Sequence, residues 1–463
     1  MQNWRKTWLS LSTLLFLLSG LSAPVDAQRG AASIPARDRT VVVISLDGFP
    51  AWMFEDPYLP VPTLRRLASE GALAKRMTTS NPTYTWPNHT TLVTGVPPLI
   101  HSVLHNGLLV HEGPTSPVRV DPERSKSELV HAPTVYDLAY ERGLTTAQVD
   151  WPATKDASTF TWAFPEKPEA DGKIEQELIA QGALTKEDCA QFMHTSPAWR
   201  DEFWTKAAVH ILKSHKPNLL LFHLLNVDAM NHYYGPKSWA SYSAYAYIDT
   251  CVQQIISTIE SSGLRDRTTV LIVSDHGFRT VKRSIRANAV LYQHGLLKAE
   301  GNKITCDAYV LAEGGCALVY ITNPQNRTRL TPRLNEIFRT TEGVDRIVEP
   351  QEYHCLGLPT PQENSQAPDL LIFPKETYAF YPEDYRGKPV GDIEEGQLRG
   401  HHGWPSSDPS MDAIFIAWGY GIRPGFQVER IDNEDVAPTV AALLNLKMTD
   451  VKGKALIDMF EGR

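Results

Sequence analysis

Four continuous runs of apolar and β-branched residues constrain the fold of this chain more than any other feature. Each run is typical of a parallel strand that is buried on both faces, and helical patterns separate the runs along the sequence. The runs cover residues 40–46, 218–225, 268–274 and 413–418. Strands that alternate with helices predict an α/β sandwich built on a mainly parallel sheet.

Helical patterns fill much of the sequence between these runs. Residues 62–70 begin with a proline and are followed by Gly71, and residues 134–142 are followed by Gly143, as at the ends of many helices. Longer amphipathic patterns cover residues 197–213 and 241–262. Residues 435–444 predict one more helix, which should cover the sheet near the end of the sequence.

The pattern changes between about residues 279 and 399. Short strand-like segments at 309–312, 317–321 and 370–373 mix there with a helical pattern at 330–341 and with proline-rich loops. We therefore expect a smaller α+β subdomain at about 279–399, inserted into a catalytic domain that takes up residues 28–463.

The first 27 residues have the pattern of a secretory signal peptide. Two basic residues precede an apolar run over residues 8–21, and small residues suit a cleavage site that ends at Ala27. The run is short and is interrupted by serines and a glycine, so it fits a membrane anchor less well. No later stretch has the roughly 18 apolar residues of a membrane span. We expect a secreted or periplasmic protein with no membrane span in its mature form.

Composition favours a globular protein over a disordered or a nucleic-acid-binding one. Hydrophobic residues make up 42% of the chain and charged residues 21%, and the net charge of -8 gives no support for a basic surface that would bind nucleic acid. Five cysteines are compatible with one or two disulfides and leave at least one thiol free. Cys306 and Cys316 flank a hairpin-like segment and are the first pair to test.

One polar segment contains the best candidate for a nucleophile, Thr85. Pro87 suits the first turn of a helix and Gly95 suits its end, so Thr85 should lie at a helix N-terminus. The N–H groups and the dipole at such an end favour a phosphate anion. A threonine hydroxyl is a weak nucleophile at neutral pH unless a base or a metal ion activates it. The next question is therefore whether the chain supplies metal ligands.

Acidic and imidazole side chains adjoin all four apolar runs. The candidates are Asp47 after the first run, Asp228 and His232 after the second, Asp275 and His276 after the third, and His402 before the fourth. Because ligands of open α/β sheets collect beyond the carboxyl ends of the strands, three of these sets should converge on one edge and the fourth should reach it from a loop. Mixed oxygen and nitrogen donors suit zinc, and manganese less readily.

Each of these features has an ordinary structural explanation when it is taken alone. An Asp-Gly after a strand is usually a turn, and Asp228 and His232 could be a capping carboxylate and a surface histidine. Together, the repeated placement at strand ends favours a site for two metal ions, which suits phosphoryl transfer. Asn106 and the backbone N–H near Trp86 could hold a phosphate oxygen, although Asn106-Gly107 is equally a common hairpin turn.

At this point the residues match a known family. The matching segments are Asp47-Gly48, Thr85-Trp86-Pro87-Asn88-His89, Val93-Thr94-Gly95, Asn106, Asp228 with His232 and Tyr234-Gly235-Pro236, Ser274-Asp275-His276-Gly277, His402-Gly403 and Met411-Asp412-Ala413-Ile414-Phe415. From about residue 40 to residue 446 the chain resembles the nucleotide pyrophosphatase/phosphodiesterases of the alkaline phosphatase superfamily. The resemblance implies an alkaline-phosphatase-like three-layer α/β sandwich with a mainly parallel central sheet and a smaller α+β insertion.

The resemblance also implies roles for the candidate residues. It assigns one zinc ion to Asp228, His232 and His402, and a second zinc ion to Asp47, Thr85, Asp275 and His276. It further implies a covalent phosphoryl intermediate on the nucleophile Thr85. No role can be transferred to His401, the neighbour of His402.

Three positions bear on the choice of substrate. Trp86 stands where the family commonly has phenylalanine, whose ring resembles a stacking platform for the base in nucleotide-cleaving members. Ser102 stands where the family usually has glycine. Trp151 lies in a segment that resembles the family's substrate-pocket wall, and it is equally explained as an anchoring core residue.

The leading hypothesis is a secreted zinc-dependent phosphodiesterase that hydrolyses phosphodiester or pyrophosphate bonds of nucleotides. No lysine or arginine lies between Met77 and Val118, which favours diesters over monoester dianions, although Lys155 or Arg279 could fold into the site. Two alternatives are a phosphomonoesterase or phosphonate hydrolase of the same superfamily, and a phosphodiesterase of glycerophosphodiesters or lysophospholipid head groups. A third, a binding module without catalysis, is disfavoured by the intact ligand set.

Overall fold

The computed structural model describes residues 34–301, 303–382 and 385–462, so the predicted signal peptide over residues 1–27 lies outside the described residues. The strands are β1 (Thr40–Leu46), β2 (Ala72–Thr78), β3 (Leu108–His111), β4 (Val118–Asp121), β5 (Thr146–Val149), β6 (Trp162–Phe164), β7 (Leu219–Leu224), β8 (Thr268–Val273), β9 (Arg279–Thr280), β10 (Arg283–Ile285), β11 (Leu297–Glu300), β12 (Lys303–Cys306), β13 (Ala308–Ala312), β14 (Ala317–Ile321), β15 (Val344–Val348), β16 (Leu370–Pro374), β17 (Tyr378–Phe380), β18 (Val390–Asp392), β19 (Gly400–His401), β20 (Ala413–Gly419) and β21 (Phe426–Asp432).

Each helical pattern of the sequence corresponds to an α-helix, whereas several shorter helices were not predicted. They are α1 (Ala51–Phe54), α2 (Pro62–Glu70), α3 (Thr85–Thr94), α4 (Pro98–His101), α5 (Lys126–Leu129), α6 (Val135–Glu141), α7 (Lys173–Ala180), α8 (Lys186–Gln191), α9 (Pro197–Ser214), α10 (Asn226–Tyr234), α11 (Trp239–Ser261), α12 (Ala287–Gln293), α13 (Arg327–Thr340) and α14 (Val436–Leu443). Across the described ranges, none of these helices is long and apolar enough to cross a membrane.

An eight-stranded sheet lies at the centre of the fold, in the order β21-β2-β20-β8-β1-β7-β5-β6. Neighbouring strands are parallel throughout, except on the two sides of β20. The four apolar runs of the sequence are the adjacent strands β20, β8, β1 and β7. The predicted mainly parallel sheet is therefore confirmed.

The direction of β20 was not predicted correctly. This strand was expected to be parallel like the other three apolar runs, but it pairs antiparallel with both β8 and β2. Its first residue, Ala413, consequently lies at the edge where β1 and β8 end, and it forms a bridge with Pro50. The reversal brings the loop that precedes β20 to the carboxyl edge of the parallel strands.

Helices cover both faces of the sheet. Val42 and Ile44 of β1 point into one apolar core, which they share with residues of α2, α9 and α11. Val41 and Val43 point into a second core, shared with residues of α3, α6 and α14. Because successive residues of a strand face opposite sides, β1 is buried on both faces and needs no polar alternation. The three-layer α/β sandwich is confirmed.

A smaller sheet lies within the segment predicted to be an insertion. Its order is β13-β14-β16-β15, with all neighbours antiparallel, and Leu334 and Phe338 of α13 pack into a core with its residues. Strand β9 at the start of this segment pairs with β19 directly after it, so the chain leaves and returns at adjacent points. This arrangement agrees with an inserted α+β subdomain, whose boundaries at 279 and 399 stay a prediction.

The cysteine pairing that we would have tested first is wrong. All five cysteines lie in the described part of the chain, and all are free thiols. Cys306 lies in the core beneath α13, whereas Cys316 lies in a different apolar cluster, where its sulfur contacts the hydroxyl of Tyr84. Burial raises the pKa of Cys306 to about 12, so this thiol is unreactive at neutral pH.

Ser102 is held in a conformation that favours glycine. It follows α4 with φ 70 and ψ 0, in the left-handed region. We expect Ser102→Gly to raise the free energy of unfolding by about 0.5–1 kcal/mol, because relief of the strain exceeds the entropy that glycine adds to the unfolded chain. Urea denaturation measures the change.

The matched control for this substitution is Ser262→Gly. Ser262 ends α11 with φ -93, a conformation that serine adopts freely. Glycine should therefore lower the stability there by about 0.5 kcal/mol or more. Equal effects of the two substitutions would contradict the account of strain at Ser102.

Candidate active site

Thr85 is the first residue of α3, and Gly95 ends this helix with φ 68, as the sequence predicts. The Asn106 side chain lies at the same helix end, where its Oδ1 accepts a hydrogen bond of 2.9 Å from the backbone N–H of Trp86. Asn106 also lies within a tight turn, since His105 and Gly107 form a bridge. The two explanations of Asn106 are therefore compatible with each other.

The candidate ligands come together at the carboxyl edge of the main sheet. Asp47 follows β1, Asp228 and His232 lie on α10 after β7, Asp275 and His276 follow β8, and His402 lies between β19 and β20. Asp47, Asp275 and His276 form one set of three donors, and Asp228, His232 and His402 form another. Within each set, the donor atoms lie within 4.8 Å of one another.

The two donor sets adjoin each other. His276 Nε2 lies 3.4 Å from Asp47 Oδ1, 3.2 Å from Asp275 Oδ2 and 4.0 Å from Asp228 Oδ1 in the other set. The rings of His276 and His402 stack with 3.7 Å between their centroids. His232 Nε2 lies 3.5 Å from Asp228 Oδ1. The six side chains thus form one continuous centre with two groups of donors.

The N-terminal end of α3 lies between these sets. His402 Nδ1 donates a hydrogen bond of 2.8 Å to the carbonyl of Thr83. On the other side, His89 Nδ1 lies 2.8 Å from the carbonyl of Thr85 and 3.6 Å from Asp275 Oδ2. These contacts place the segment that carries Thr85 against both sets.

Hydrogen bonds from the surrounding protein orient most of the candidate ligands. The Nδ1 atoms of His232 and His276 lie 3.0 and 3.1 Å from the carbonyls of Gly400 and Gly277, so their Nε2 atoms point into the centre. Asp275 Oδ1 accepts from the N–H of Gly48. Four buried atoms of these candidate ligands have no hydrogen-bond partner among the residues that the structure describes: Asp47 Oδ1, Asp228 Oδ1, Asp275 Oδ2 and His276 Nε2. Buried oxygen and nitrogen atoms without a hydrogen-bond partner are what is expected of metal ligands.

The pKa shifts of the candidate ligands also indicate a site that binds a cation. Burial raises the pKa of Asp47 well above its usual value, and the charges of Asp275 and Asp228 raise it further. Burial lowers the pKa of His402 well below its usual value, which keeps its imidazole neutral. Crowded carboxylates repel one another unless a positive charge lies among them, and a divalent cation reverses this penalty. The residues present therefore fit a metal ion.

Sequence reasoning missed a buried histidine behind the centre. His223, on β7, lies between two carboxylates, with Nε2 3.0 Å from Asp47 Oδ2 and Nδ1 2.8 Å from Asp150 Oδ2. Burial alone would lower the pKa of His223, but Asp150 and Asp47 raise it well above its usual value. The signal was present in the sequence, because His223 interrupts an otherwise apolar strand.

His223→Gln should loosen metal binding without unfolding the protein. The imidazole of His223 holds Asp47 in position, and loss of such an outer contact typically lowers metal affinity by about 10–100-fold. Competition with a chromophoric chelator measures the affinity. Asp150→Asn, which keeps a side chain beside His223, is the milder control. If the melting temperature falls but the metal affinity stays at the wild-type value, His223 has only a structural role.

Two tryptophans that were predicted to bind substrate differ in exposure. Trp86 is half-buried beside the helix end and packs against Val103 and Ala153. Trp151 is only 3% exposed, and its ring packs edge-on against His89 with 5.0 Å between centroids. The indole of Trp151 fills the core behind the nucleophile helix, and its role in substrate binding stays a prediction. The alternative, an anchoring core residue, fits this burial.

His401 is buried beside the centre and belongs to neither donor set within the described ranges. Its ring packs edge-on against Tyr381, with 5.0 Å between centroids. This placement agrees with the absence of any transferable role for His401.

Known proteins resemble this chain over most of its length. Residues 41–405 match the family described as type I phosphodiesterase / nucleotide pyrophosphatase. Human ectonucleotide pyrophosphatase/phosphodiesterase family member 7 is 23% identical over 443 residues, which are 95% of this chain and 85% of that protein. Bovine family member 3 is 21% identical over 88% of this chain, which spans only 42% of that longer protein.

Solved structures resemble the fold. Human ectonucleotide pyrophosphatase/phosphodiesterase 5 superposes with a TM-score of 0.69 at 18% identity, over 91% of this chain and 100% of that one. An inactive variant of the murine protein, solved in complex with AMP, gives a TM-score of 0.68 at 17% identity, with the same coverage. The match to the family model spans well over half of the chain. The chain therefore belongs to the type I phosphodiesterase / nucleotide pyrophosphatase family of hydrolases, within the alkaline phosphatase superfamily.

Proposed function

We propose that this chain is an exported, zinc-dependent phosphodiesterase that cleaves phosphodiester or pyrophosphate bonds of nucleotides through a covalent intermediate on Thr85. The observation that carries the proposal is the pair of donor sets on either side of the segment that holds Thr85. One set, with Asp228, His232 and His402, would hold one zinc ion. The other, with Asp47, Asp275 and His276, would hold the second together with Thr85.

The zinc ions, when bound, would lower the pKa of the Thr85 hydroxyl and neutralise charge on the phosphate oxygens. Thr85 Oγ then attacks phosphorus, the bond to the leaving oxygen breaks, and the leaving group departs opposite Thr85. Water cleaves the Thr85 ester in a second step and releases a nucleoside monophosphate. Thr85 suits this role because it lies at a helix N-terminus, where the dipole favours an anion.

Asn106 and Trp86 would position the substrate. The Asn106 Oδ1 atom is already occupied by the N–H of Trp86, so its Nδ2 group is the one that can donate to a non-bridging phosphate oxygen. The half-buried Trp86 ring lies next to Thr85 and offers a surface for a nucleobase. The murine neighbour in complex with AMP supports a nucleotide as the ligand of this fold.

The positions of two basic residues support a diester substrate. Lys155 is exposed and forms an ion pair of 2.9 Å with Glu123, and Arg279 pairs with Asp408 at 2.6 Å. Lys155 and Arg279 were the two basic residues that could have paired with the second negative charge of a phosphate monoester. Because both residues form ion pairs with other carboxylates, a monoanionic diester matches the site better than a monoester dianion does.

The proposal that the protein is exported rests on the signal pattern of residues 1–27.

A paired substrate assay tests the proposal. The purified protein should hydrolyse bis(4-nitrophenyl) phosphate at least about 100-fold faster than 4-nitrophenyl phosphate, since Lys155 and Arg279 already pair with Glu123 and Asp408. A preference for the monoester would favour the phosphomonoesterase alternative and overturn the diesterase assignment.

A substrate panel then separates nucleotides from lipid-derived diesters. ATP, a dinucleotide, a cyclic dinucleotide and a glycerophosphodiester are compared with the same preparation. We expect release of a nucleoside monophosphate from at least one nucleotide. Turnover of the glycerophosphodiester alone would instead support the head-group phosphodiesterase alternative.

A further inference from the structure

A third group of potential metal ligands lies apart from the active site. Glu177 is on α7, His210 is near the end of α9, and His215 directly follows that helix. The Nε2 atoms of His210 and His215 lie 2.6 and 2.7 Å from the same atom, Glu177 Oε2. Two nitrogens and one oxygen therefore converge on one point.

The two imidazoles are held in place by other contacts. His210 is 8% exposed, and its Nδ1 lies 3.3 Å from Gln181 Nε2 and 3.4 Å from Ser214 Oγ. The ring of His215 stacks on the indole of Trp162, with 4.7 Å between centroids and 24° between planes. The Glu177 side chain is 30% exposed, so a cation can enter from solvent. The three ligand atoms already lie within 4.8 Å of one another.

We propose that Glu177, His210 and His215 form a third zinc site, which joins α7 to the end of α9. Two imidazole nitrogens and one carboxylate oxygen match a zinc ion whose fourth position is taken by water. Tetrahedral zinc separates its ligand atoms by about 3.3 Å, so the carboxylate moves outward by less than about 1 Å. Each imidazole would bind through an Nε2 atom without a proton and carry its proton on Nδ1, and Ser214 Oγ, 3.4 Å from His210 Nδ1, can accept that hydrogen bond.

This site is independent of the proposed catalytic centre. His215 precedes β7, and Asp228 follows it on α10. The six residues of that strand separate the two places by roughly 20 Å. Loss of the third zinc ion should therefore leave the catalytic ligands in place.

Zinc counting on the full chain tests the proposal. The protein is stripped with a chelator and titrated with ZnCl₂ alone, and bound zinc is measured by atomic spectroscopy after gel filtration. The double variant Glu177→Gln/His215→Asn should bind one zinc ion fewer than the wild type, with unchanged turnover of bis(4-nitrophenyl) phosphate. Its melting temperature should also rise less when zinc is added.

Two further variants separate the possible results. His194→Asn removes an exposed histidine between α8 and α9 and should keep the wild-type zinc count. Asp228→Asn should lose zinc at the catalytic centre alone, so failure of that centre is distinguishable from failure of this site. Circular dichroism verifies folding, and His215→Asn alone replaces the double variant if the latter is unfolded. A double variant with the full wild-type zinc count would show that the three residues form only a hydrogen-bonded cluster.

Discussion

Thr85→Ala is expected to lower kcat/KM for bis(4-nitrophenyl) phosphate by about 10⁴-fold or more. The substitution removes the oxygen that attacks phosphorus, while alanine keeps the helix end intact. The effect should fall on kcat, because the substrate can still bind at the end of α3. Steady-state kinetics gives the ratio, and rapid acid quenching of the wild type with mass spectrometry should find the substrate's phosphoryl group esterified to Thr85.

Two controls make this result specific. Thr85→Ser keeps a hydroxyl in the same place and should retain activity within about tenfold. Thr94→Ala removes a hydroxyl from the other end of the same helix, where it donates to the carbonyl of Thr90 at 2.8 Å and lies 3.4 Å from the carbonyl of Val96. That variant should lose about 1 kcal/mol of stability and no activity. Full activity in Thr85→Ala would mean that another group is the nucleophile.

His402→Gln and His401→Gln should behave in opposite ways, although the two histidines are adjacent and both buried. His402 belongs to a donor set, with its Nδ1 bonded to the Thr83 carbonyl and its ring stacked on His276. Its replacement should lower zinc affinity at one position by more than about 100-fold and kcat/KM by about 10³-fold. His401 packs against Tyr381, so its replacement should retain two catalytic zinc ions and most of the activity.

Zinc content and activity are measured on the same samples. Dialysis against a chelator should remove the activity of the wild type, and addition of Zn²⁺ should restore it. Restoration in His402→Gln should require a much higher zinc concentration. Equal zinc loss in the two variants would contradict the assignment of His402, and activity that survives complete metal removal would contradict the metal-dependent mechanism.

The apolar runs predicted the sheet well because strands that are buried on both faces have no polar alternation. Thr40–Leu46 and Ala317–Ile321 could be located almost to the residue for this reason. The direction of β20 could not be predicted, since parallel and antiparallel strands in a buried sheet have the same composition. The burial of Trp151 and the separation of Cys306 from Cys316 depend in the same way on packing between distant segments.

The candidate site was predictable to the extent that its residues adjoin strand ends. Asp47 directly follows β1 and Asp275 lies two residues after β8, and these two strands lie side by side. His223 interrupts an apolar strand and His89 lies in a matching segment, but their roles were not recognised, because each acts through a contact that only the folded chain makes. His223 reaches Asp47, which is 176 residues away, and His89 lies against Asp275.

The sequence by itself determined which chemical groups stand at the ends of which strands. Apolar runs and helix-end residues were enough to predict these positions. Only the tertiary structure decided that these groups meet. The contact between His402 and Thr83 spans 319 residues and exists because β20 is antiparallel to both neighbouring strands. Strand direction is set by the whole sheet, through pairing and packing that no short segment encodes.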